Sequence, residues 1–284
     1  MNKTVLVTGA SGFIGRHTVS TLEKGGMRVI RGVRNPPIGN NTEECVHIEL
    51  NNPRQILALE ETLHCDTIVH LAARVGWTGE SDSDLYVSNV LSSGCIAYLA
   101  RCWNAHLVFA SAAIVHGIRA ECIRNNSPLT PDTSYGRSKL LAEQLIQYSG
   151  ANSCVLRFAG VFGTDGPPHL GLNRAITAIR QGICPTQIGS GQALRNYVYV
   201  KDVASTIASV IKTNLTGVHL VASDQTLSIN QMLQELCDTF LPGKEPIMID
   251  GPEATDQIVT PSPFIPKTRS FQEALRDIQK EGYS

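Results

Sequence analysis

The sequence lacks the features that mark several common classes of protein. The formal net charge is −1, and no block of lysine and arginine alternates with aromatic residues, so nucleic-acid binding is not expected. No apolar run approaches membrane-spanning length. A glycine-rich stretch begins a few residues after Met1, which leaves no room for a signal peptide. We therefore expect a soluble, cytoplasmic protein with neither a membrane nor a nucleic-acid partner.

Metal-binding and redox motifs are also missing. None of the eight cysteines belongs to a C-x-x-C pair or to a Cys/His cluster with zinc spacing, so no metal site is predicted. Most of the cysteines have apolar neighbours, which predicts small buried side chains in a reducing compartment. The cysteines are Cys45, Cys65, Cys95, Cys102, Cys122, Cys154, Cys184 and Cys237.

The patterns that are present favour an α/β fold. Hydrophobic residues make up 42% of the 284 residues, which is enough for a sizeable core. Strand patterns alternate with helix patterns through residue 158, and this order predicts a doubly wound parallel sheet with helices on both faces. We predict one domain at 1–158, joined by returning segments of the C-terminal half, and a smaller C-terminal lobe at 159–284.

Hydrophobic periodicity also predicts the bounds of individual elements. Strands are expected at 28–33, 47–50, 66–73, 107–111 and 154–158. Helices are expected at 53–63, 85–103, 134–148, 171–182, 201–213, 228–240 and 270–280. Short strands are expected in the C-terminal lobe at 197–200, 219–221 and 247–249.

A glycine-rich turn joins the first strand to the first helix. It reads Thr-Gly-Ala-Ser-Gly-Phe-Ile-Gly over residues 8–15. A strand, a glycine turn and a helix N-terminus together present backbone N–H groups to a pyrophosphate. Gly9 permits the tight turn, Gly12 lets a phosphate approach the backbone, and Gly15 lets the helix pack against the strand. The predicted cofactor contacts here are Gly9, Ser11, Gly12, Phe13, Ile14 and Gly15.

The end of the second strand carries no acidic residue. In NAD-binding enzymes of this design a carboxylate at that point holds the ribose 2′-hydroxyl. The sequence instead has Arg34, whose charge suits a 2′-phosphate, so NADP is favoured over NAD. The alternative is a surface arginine that stacks on adenine, which either cofactor allows. Further cofactor contacts are predicted at Leu50, Leu71, Ala72, Ala73 and Asn89, whereas His70 is expected to be a buried structural histidine.

Tyr135 and Lys139 are four residues apart on the predicted helix 134–148, so their side chains share one face. A free tyrosine has a pKa of about 10 and is a poor base at neutral pH. A nearby ammonium group and an oxidised nicotinamide would lower that pKa. Tyr135 would then exchange a proton with a substrate hydroxyl or carbonyl while a hydride moves. Lys139 would also bind the nicotinamide ribose.

The sequence resembles the extended short-chain dehydrogenase/reductases and, within them, the nucleotide-sugar epimerase/dehydratase group. The resemblance implies a Rossmann-type fold, bound NAD or NADP, a nucleotide-sugar substrate and a homodimer formed through the helices at 85–103 and 134–148. It also implies that Arg195 and Tyr197 hold the diphosphate of the substrate, and the alternative for Arg195 is a surface salt bridge. The matching stretches are 8–15, 70–73, 89–90, 109–117, 135–139 with Glu143, 156–157 and 195–204.

Two positions depart from that family's pattern. Its members usually end the fifth strand with two hydroxyl residues, and the second hydroxyl bonds the reacting substrate oxygen. Here the pair is Ser111 and Ala112, so Ser111 is the candidate catalytic replacement, with another group or a water as the alternatives. Loss of one transition-state hydrogen bond costs about 10²–10³-fold in rate. Gly160 stands where epimerases often have an asparagine that could contact the substrate.

Three functions remain open at the level of the sequence. The first is hydride transfer on a nucleotide-activated sugar, by 4-keto reduction or C4 epimerisation, and both the short C-terminal lobe and Arg34 favour the reductase. The second is oxidation or reduction of a small alcohol or ketone that is not a sugar, against which Arg195 argues. The third is a cofactor-binding regulatory protein without catalysis, which Ala112 suggests and the retention of Tyr135 and Lys139 opposes.

Overall fold

The computed structural model describes residues 3–36, 44–76 and 81–281. The chain divides into two compact units. The first contains residues 1–118, 128–157 and 204–219, and the second contains residues 119–127, 158–203 and 220–284. The chain thus returns to the first unit twice. The division into domains at residue 158 stays a prediction.

Strands and helices alternate along most of the chain. The strands are β1 (Thr4–Thr8), β2 (Arg28–Val33), β3 (Cys45–His47), β4 (Thr67–His70), β5 (His106–Ala112), β6 (Cys122–Ile123), β7 (Ser153–Phe158), β8 (Val161–Phe162), β9 (Thr186–Ile188), β10 (Leu194–Arg195), β11 (Val198–Tyr199), β12 (Gly217–Val221), β13 (Leu227–Ser228), β14 (Ile247–Ile249) and β15 (Ile258–Val259). The helices are α1 (Phe13–Lys24), α2 (Pro53–Leu57), α3 (Leu59–Thr62), α4 (Asp82–Leu85), α5 (Ser92–Cys102), α6 (Ser134–Tyr148), α7 (Gly171–Arg180), α8 (Val200–Thr213), α9 (Ile229–Phe240) and α10 (Phe271–Lys280). A π-helical segment, Tyr86–Leu91, joins α4 to α5.

A seven-stranded parallel sheet organises the first unit. Its strand order is β12-β7-β5-β4-β1-β2-β3. β1 lies between β2 and β4, and Val7 stands opposite both Arg31 and Val69. Because the strand order reverses at this point, the connections leave to opposite faces and open a crevice at the carboxyl ends of the strands. This arrangement confirms the predicted Rossmann-type sheet.

One face of the sheet forms a core with α2, α5 and α6. Leu6, Ile68 and Leu107 from neighbouring strands are fully buried in the same cluster as Ile96 of α5 and Ile146 of α6. Full burial of an aliphatic side chain of this size contributes about 1.5–3 kcal/mol. The packing therefore fixes α6, which carries the tyrosine and lysine singled out above, against the sheet.

Helix predictions are accurate where the termini have clear signals. The predicted helix 134–148 is α6, and it begins after Thr133, whose hydroxyl accepts the backbone N–H of Gly136 at 3.0 Å. The helix predicted at 53–63 is wrong in one respect, because Ala58 separates it into α2 and α3. The helix predicted at 85–103 begins earlier, at Asp82, because Ser81 and Asp84 form a capping box.

Pairing partners set the positions of two predicted strands. The strand predicted at 47–50 is wrong in its bounds, because it lies at Cys45–His47, where Cys45 pairs with Arg31 of β2. The strand predicted at 219–221 is confirmed within β12, which forms an edge of the main sheet beside β7. Neither pairing is visible in the local hydrophobic pattern.

The second unit consists of short paired strands and amphipathic helices. β10 pairs with β13 in antiparallel fashion, and β9 pairs with β14 in parallel. α9 packs between α7 and α10 and buries Leu233 and Leu236. Over the described ranges, no helix is long and apolar enough to cross a membrane, and no cluster of His, Cys, Asp or Glu side chains is arranged to hold a metal ion.

The expectation of buried cysteines is wrong for part of the set. Cys65, Cys154 and Cys237 are buried, whereas Cys102 and Cys122 are exposed. Burial raises the pKa of the Cys65 thiol to about 12, so this thiol is inert at neutral pH. The remaining three cysteines are half-buried. Apolar neighbours in sequence do not predict burial for Cys102, because it lies near the C-terminal end of α5 on the exposed side.

Candidate active site

A pocket of about 780 Å³ opens at the carboxyl ends of β1, β2 and β4. Its volume is within the range of small-molecule sites. It brings together most of the residues predicted to bind the cofactor, namely Gly9, Ser11, Gly12, Arg34, Leu50, Leu71, Ala72 and Ala73. Cys45 and Ile48 also line the pocket and were not among the predicted contacts. Cys45 lies outside the predicted third strand, 47–50, and inside the observed one. The other lining residues that the sequence analysis missed are Arg31, Gly32, Val33 and Asn35.

The glycine turn has the shape that a pyrophosphate requires. Gly9 has a φ of +69°, and a Cβ on it would lie 2.9 Å from the backbone N of Ala72. A Cβ on Gly15 would collide with the carbonyl oxygen of Gly9 and with the backbone of Ala10, so the close contact that Gly15 allows is with the turn itself and not with the strand. No side chain caps α1, which begins at Phe13, and no acidic residue lies in its first turn. The positive end of α1 is thus open to an anion, and these described residues fit NAD or NADP.

Two arginines line the pocket near the end of β2. Arg31 is held by Glu23 of α1 and by Glu44, whose Oε2 lies 3.2 Å from Arg31 Nη1. Arg34 is 65% exposed, and its Nε lies 4.0 Å from Oε2 of Glu49. Such a long ion pair at the surface contributes little free energy. Of the two arginines, Arg34 is therefore the one whose guanidinium can turn to a 2′-phosphate at a small cost in free energy.

A buried chain of hydrogen bonds runs from the end of β1 towards α5. Thr8 Oγ1 lies 2.7 Å from His70 Nδ1, and His70 Nε2 lies 3.0 Å from Ser93 Oγ. The Ser93 hydroxyl donates to the carbonyl oxygen of Asn89 at 2.6 Å, so it accepts the proton of His70 Nε2. Burial lowers the pKa of His70 to about 3, and the charge of Lys139 acts in the same direction. His70 is thus a neutral structural histidine, as predicted.

Asn89 joins the loop after β4 to α6. Its Oδ1 accepts the backbone N–H of Arg74 at 2.8 Å, and its Nδ2 donates to the carbonyl oxygen of Arg74 at 2.8 Å and to Ser138 Oγ at 3.0 Å. The Ser138 hydroxyl in turn donates to the carbonyl oxygen of Tyr135 at 2.8 Å. These contacts give Asn89 a positioning role, and its predicted contact with the cofactor stays a prediction.

Tyr135 and Lys139 lie on the inner side of α6. Lys139 is 3% exposed, and its Nζ donates to the carbonyl oxygen of Ala110 at 2.8 Å. The same Nζ lies 5.9 Å from the centre of the Tyr135 ring. Burial lowers the pKa of Lys139 to about 8 and raises the pKa of Tyr135 to about 12. In the protein chain alone, burial therefore sets the direction of the shift, and Tyr135 is a protonated acid at neutral pH.

Ser111 is engaged in a buried ion-pair network. It is 3% exposed, and its hydroxyl donates to the carboxylate of Glu143. The same carboxylate accepts Arg157 Nη2 at 2.6 Å. Ala112 ends β5 and carries only a methyl group. The catalytic role of Ser111 stays a prediction, and it would require Ser111 to release Glu143 first.

Arg195 and Tyr197 lie in the second unit. Arg195 Nη1 donates to the carbonyl oxygens of Leu194 and Thr255 at 2.8 and 2.6 Å. Burial raises the pKa of Tyr197, and Arg195 opposes that shift. A Cβ on Gly160 would collide with the Tyr197 ring, so the ring fills the space that a side chain at position 160 would need. The glycine that departs from the family's pattern therefore has a packing reason.

Comparisons with known proteins identify the relatives of the chain. The sequence model of the NAD dependent epimerase/dehydratase family matches residues 5–222. A Bacillus subtilis protein, named as an uncharacterized UDP-glucose epimerase, is 28% identical over 238 residues, which cover 75% of this chain and 74% of that protein. The UDP-glucuronate 4-epimerase of Thermodesulfobacterium geofontis is 27% identical over 259 residues, which cover 81% of this chain and 79% of that protein.

Solved structures share the fold at lower sequence identity. The enzyme WbmH of Bordetella bronchiseptica, solved in complex with NAD⁺, is 21% identical, covers 100% of both chains and has a TM-score of 0.82. The UDP-glucose 4-epimerase of Thermotoga maritima, solved with UDP-glucose, is 19% identical, with 98% of this chain and 99% of that chain covered and a TM-score of 0.83. The family match spans both the glycine turn and the Tyr135–Lys139 pair, and the chain belongs to the NAD dependent epimerase/dehydratase family.

Proposed function

We propose that this enzyme transfers a hydride to or from a nucleotide-activated sugar, by 4-keto reduction or C4 epimerisation. The observation that carries the proposal is the presence, in one compact unit, of a pocket shaped for a dinucleotide and of the Tyr135–Lys139 pair, whose lysine is buried. The names of the relatives support the substrate class, since the two described above are named for UDP-sugars.

Tyr135 is the proposed acid and base. When bound, the nicotinamide cofactor supplies or accepts the hydride. Because burial raises its pKa to about 12, Tyr135 holds a phenolic proton that it donates to the carbonyl oxygen of a keto sugar. The Lys139 ammonium then stabilises the phenolate that remains. In the opposite direction the phenolate takes the proton of the sugar hydroxyl.

The proposed cofactor is NADP in preference to NAD. Arg34 supports this preference because its guanidinium is exposed at the pocket and weakly paired, and because no carboxylate occupies positions 33–35. NADPH is the usual reducing cofactor, so this preference also favours net 4-keto reduction. The WbmH structure contains NAD⁺, which supports a dinucleotide as the ligand of the pocket in this chain. Binding experiments with NADPH and NADH distinguish the two cofactors.

The proposed contacts of the substrate diphosphate are Arg195 and Tyr197. Two carbonyl oxygens hold one end of the Arg195 guanidinium, which restricts its movement and prepares it to bind an anion. Tyr197 packs over Gly160 and interacts with Arg195, so the two side chains present one combined polar surface within the second unit.

The proposed assembly is a homodimer formed through α5 and α6. Tyr98 on α5 and Leu141, Leu145 and Tyr148 on α6 are exposed, with Tyr148 at 89%. The two helices are neighbours, and Leu145 lies 3.5 Å from the position of a Cβ on Gly94. An apolar surface of this kind on two adjacent helices favours burial against a second copy. A cytoplasmic location stays a prediction.

The function is tested with purified protein, NADPH or NADH, and a panel of nucleotide-linked 4-keto sugars, nucleotide hexoses and small ketones. We expect turnover of a nucleotide sugar, and a loss of at least about 10²-fold in Tyr135→Phe, because that variant lacks the transferable proton. Tyr148→Phe, on the exposed side of the same helix, is the matched control. Dinucleotide binding without turnover of any panel member, or full activity of Tyr135→Phe, would overturn the proposal.

A further inference from the structure

Glu143 is a buried acidic residue with no place in the proton transfer described above. It is 1% exposed and lies one helical turn beyond Lys139 on α6. Its carboxylate accepts Arg157 Nε at 3.1 and 3.2 Å, Arg157 Nη2 at 2.6 Å and the hydroxyl of Ser111. A buried carboxylate with this many donors holds its partners in fixed positions.

Side chains from successive turns of α6 form hydrogen bonds with successive residues at the end of β5. Lys139 Nζ donates to the carbonyl oxygen of Ala110, and one turn later Glu143 accepts the hydroxyl of Ser111. The next residue along β5 is Ala112, the position at which the family pattern has its second hydroxyl. These two bonds therefore set the register between the strand end and the helix that carries Tyr135.

The charged and titratable groups around Lys139 come from several elements. Tyr135 and Glu143 lie on α6, Arg157 on β7, and His70 on β4. His70 is neutral because burial and the charge of Lys139 lower its pKa to about 3, and its bonds to Thr8 and Ser93 fix the tautomer. His116, which follows β5, faces Arg157 Nη1 through Nε2 at 3.3 Å and the carbonyl oxygen of Pro128 through Nδ1 at 2.9 Å.

Arg157 fixes which ring nitrogen of His116 accepts a hydrogen bond. A guanidinium can only donate, so His116 Nε2 accepts from Arg157 Nη1, and Nδ1 donates to the carbonyl oxygen of Pro128. The charged groups of the cluster are then Lys139, Arg157 and Glu143, with one net positive charge. A second uncompensated charge in this buried place would make the lysine release its proton.

We propose that Glu143 is a positioning residue of the hydride-transfer site, which keeps Lys139 charged and holds the end of β5 in register with Tyr135. The inference rests on the proposed function for its catalytic meaning. The titration of Lys139 supports it, because burial lowers the pKa of this lysine to about 8 while Glu143 acts in the opposite direction. Without the carboxylate, the pKa of Lys139 would fall further, which favours the neutral lysine.

The test is an NMR titration of Lys139 in protein labelled with ¹³C at the lysine Cε, with Lys139→Met identifying the resonance. Glu143→Gln keeps the shape of the side chain and removes its charge. We expect its Lys139 midpoint to fall by about one pH unit or more, a tenfold or larger weakening of proton binding. Glu61→Gln removes an exposed carboxylate on α3 and is the matched control, with an unchanged midpoint. An unchanged midpoint in Glu143→Gln would overturn the inference.

A second variant keeps the inference testable if Glu143→Gln does not fold, which circular dichroism shows. Arg157→Gln removes a positive charge from the cluster, so the Lys139 midpoint should rise, and a constant or lower midpoint would count against the inference. In active enzyme, the alkaline limb of the pH–rate profile should move to lower pH in Glu143→Gln. The titration needs no substrate, so the two proposals can fail separately. Absence of turnover on the substrate panel refutes the proposed function alone. An unchanged Lys139 midpoint in an active enzyme refutes the role of Glu143 alone.

Discussion

Replacement of Gly9 by alanine combines two costs at the cofactor pocket. Gly9 has a φ of +69°, and the left-handed conformation costs a residue that has a Cβ about 1–2 kcal/mol. The new Cβ would also lie 2.9 Å from the N and Cα of Ala72, and overpacking of this kind costs about 1–3 kcal/mol. We therefore expect Gly9→Ala to lose about 2–5 kcal/mol of unfolding free energy.

Gly26 provides the matched control for this prediction. Its φ is +79°, and a Cβ on it would meet no atom within 4 Å, so Gly26→Ala carries the backbone cost alone. Urea unfolding should show a loss of about 1–2 kcal/mol in Gly26→Ala and about 1–3 kcal/mol more in Gly9→Ala. Dinucleotide binding should weaken only in Gly9→Ala, because Gly9 and Ala72 both line the pocket. Equal losses of unfolding free energy in the two variants would refute the close contact.

Four further substitutions test three separate parts of the site. Arg34→Ala should weaken NADPH binding about tenfold in a calorimetric titration, the value of one charge-assisted hydrogen bond, and leave NADH binding unchanged. Equal losses for both cofactors contradict the 2′-phosphate assignment. Ala112→Ser should raise kcat by about 10²-fold, because it returns a hydroxyl to the strand end, and a constant kcat argues against that reasoning. Gly160→Ala should lower the unfolding free energy in urea by about 1–3 kcal/mol. Adding Tyr197→Ala to that variant should recover part of the loss, because the ring that collides with the new Cβ is removed. Additive losses in the double variant would mean that the two residues do not meet.

The sequence predicts the elements whose ends carry their own chemical signals. α6 has the predicted bounds because Thr133 caps it and because its apolar spacing is regular. The glycine turn is equally local: the spacing of Gly9 and Gly15 fixes which backbones approach each other, and the structure shows those approaches. The pocket residues that follow β1 and β4 were therefore accessible to sequence reasoning.

The rest depends on contacts between distant segments. The position of β3 is set by its pairing with β2, and the misplaced strand concealed Cys45 as a pocket residue. β12 joins the sheet beside β7, which no local pattern records. The hydrogen bond from Ser111 to Glu143 is also non-local. Ser111 lies at the end of β5 and Glu143 two helical turns after Tyr135 on α6, and the two meet only after folding.

The π-helical segment Tyr86–Leu91 has a consequence for insertions and deletions. A π turn holds one residue more than an α turn, so removal of one residue would restore regular α spacing and rotate all that precedes it by about 100° relative to α5. Asn89 would then turn away from Ser138, and the bridge between the loop after β4 and α6 would be lost. The number of residues in this segment is therefore constrained as well as their identity. A deletion within it would remove the bridge that Asn89 forms.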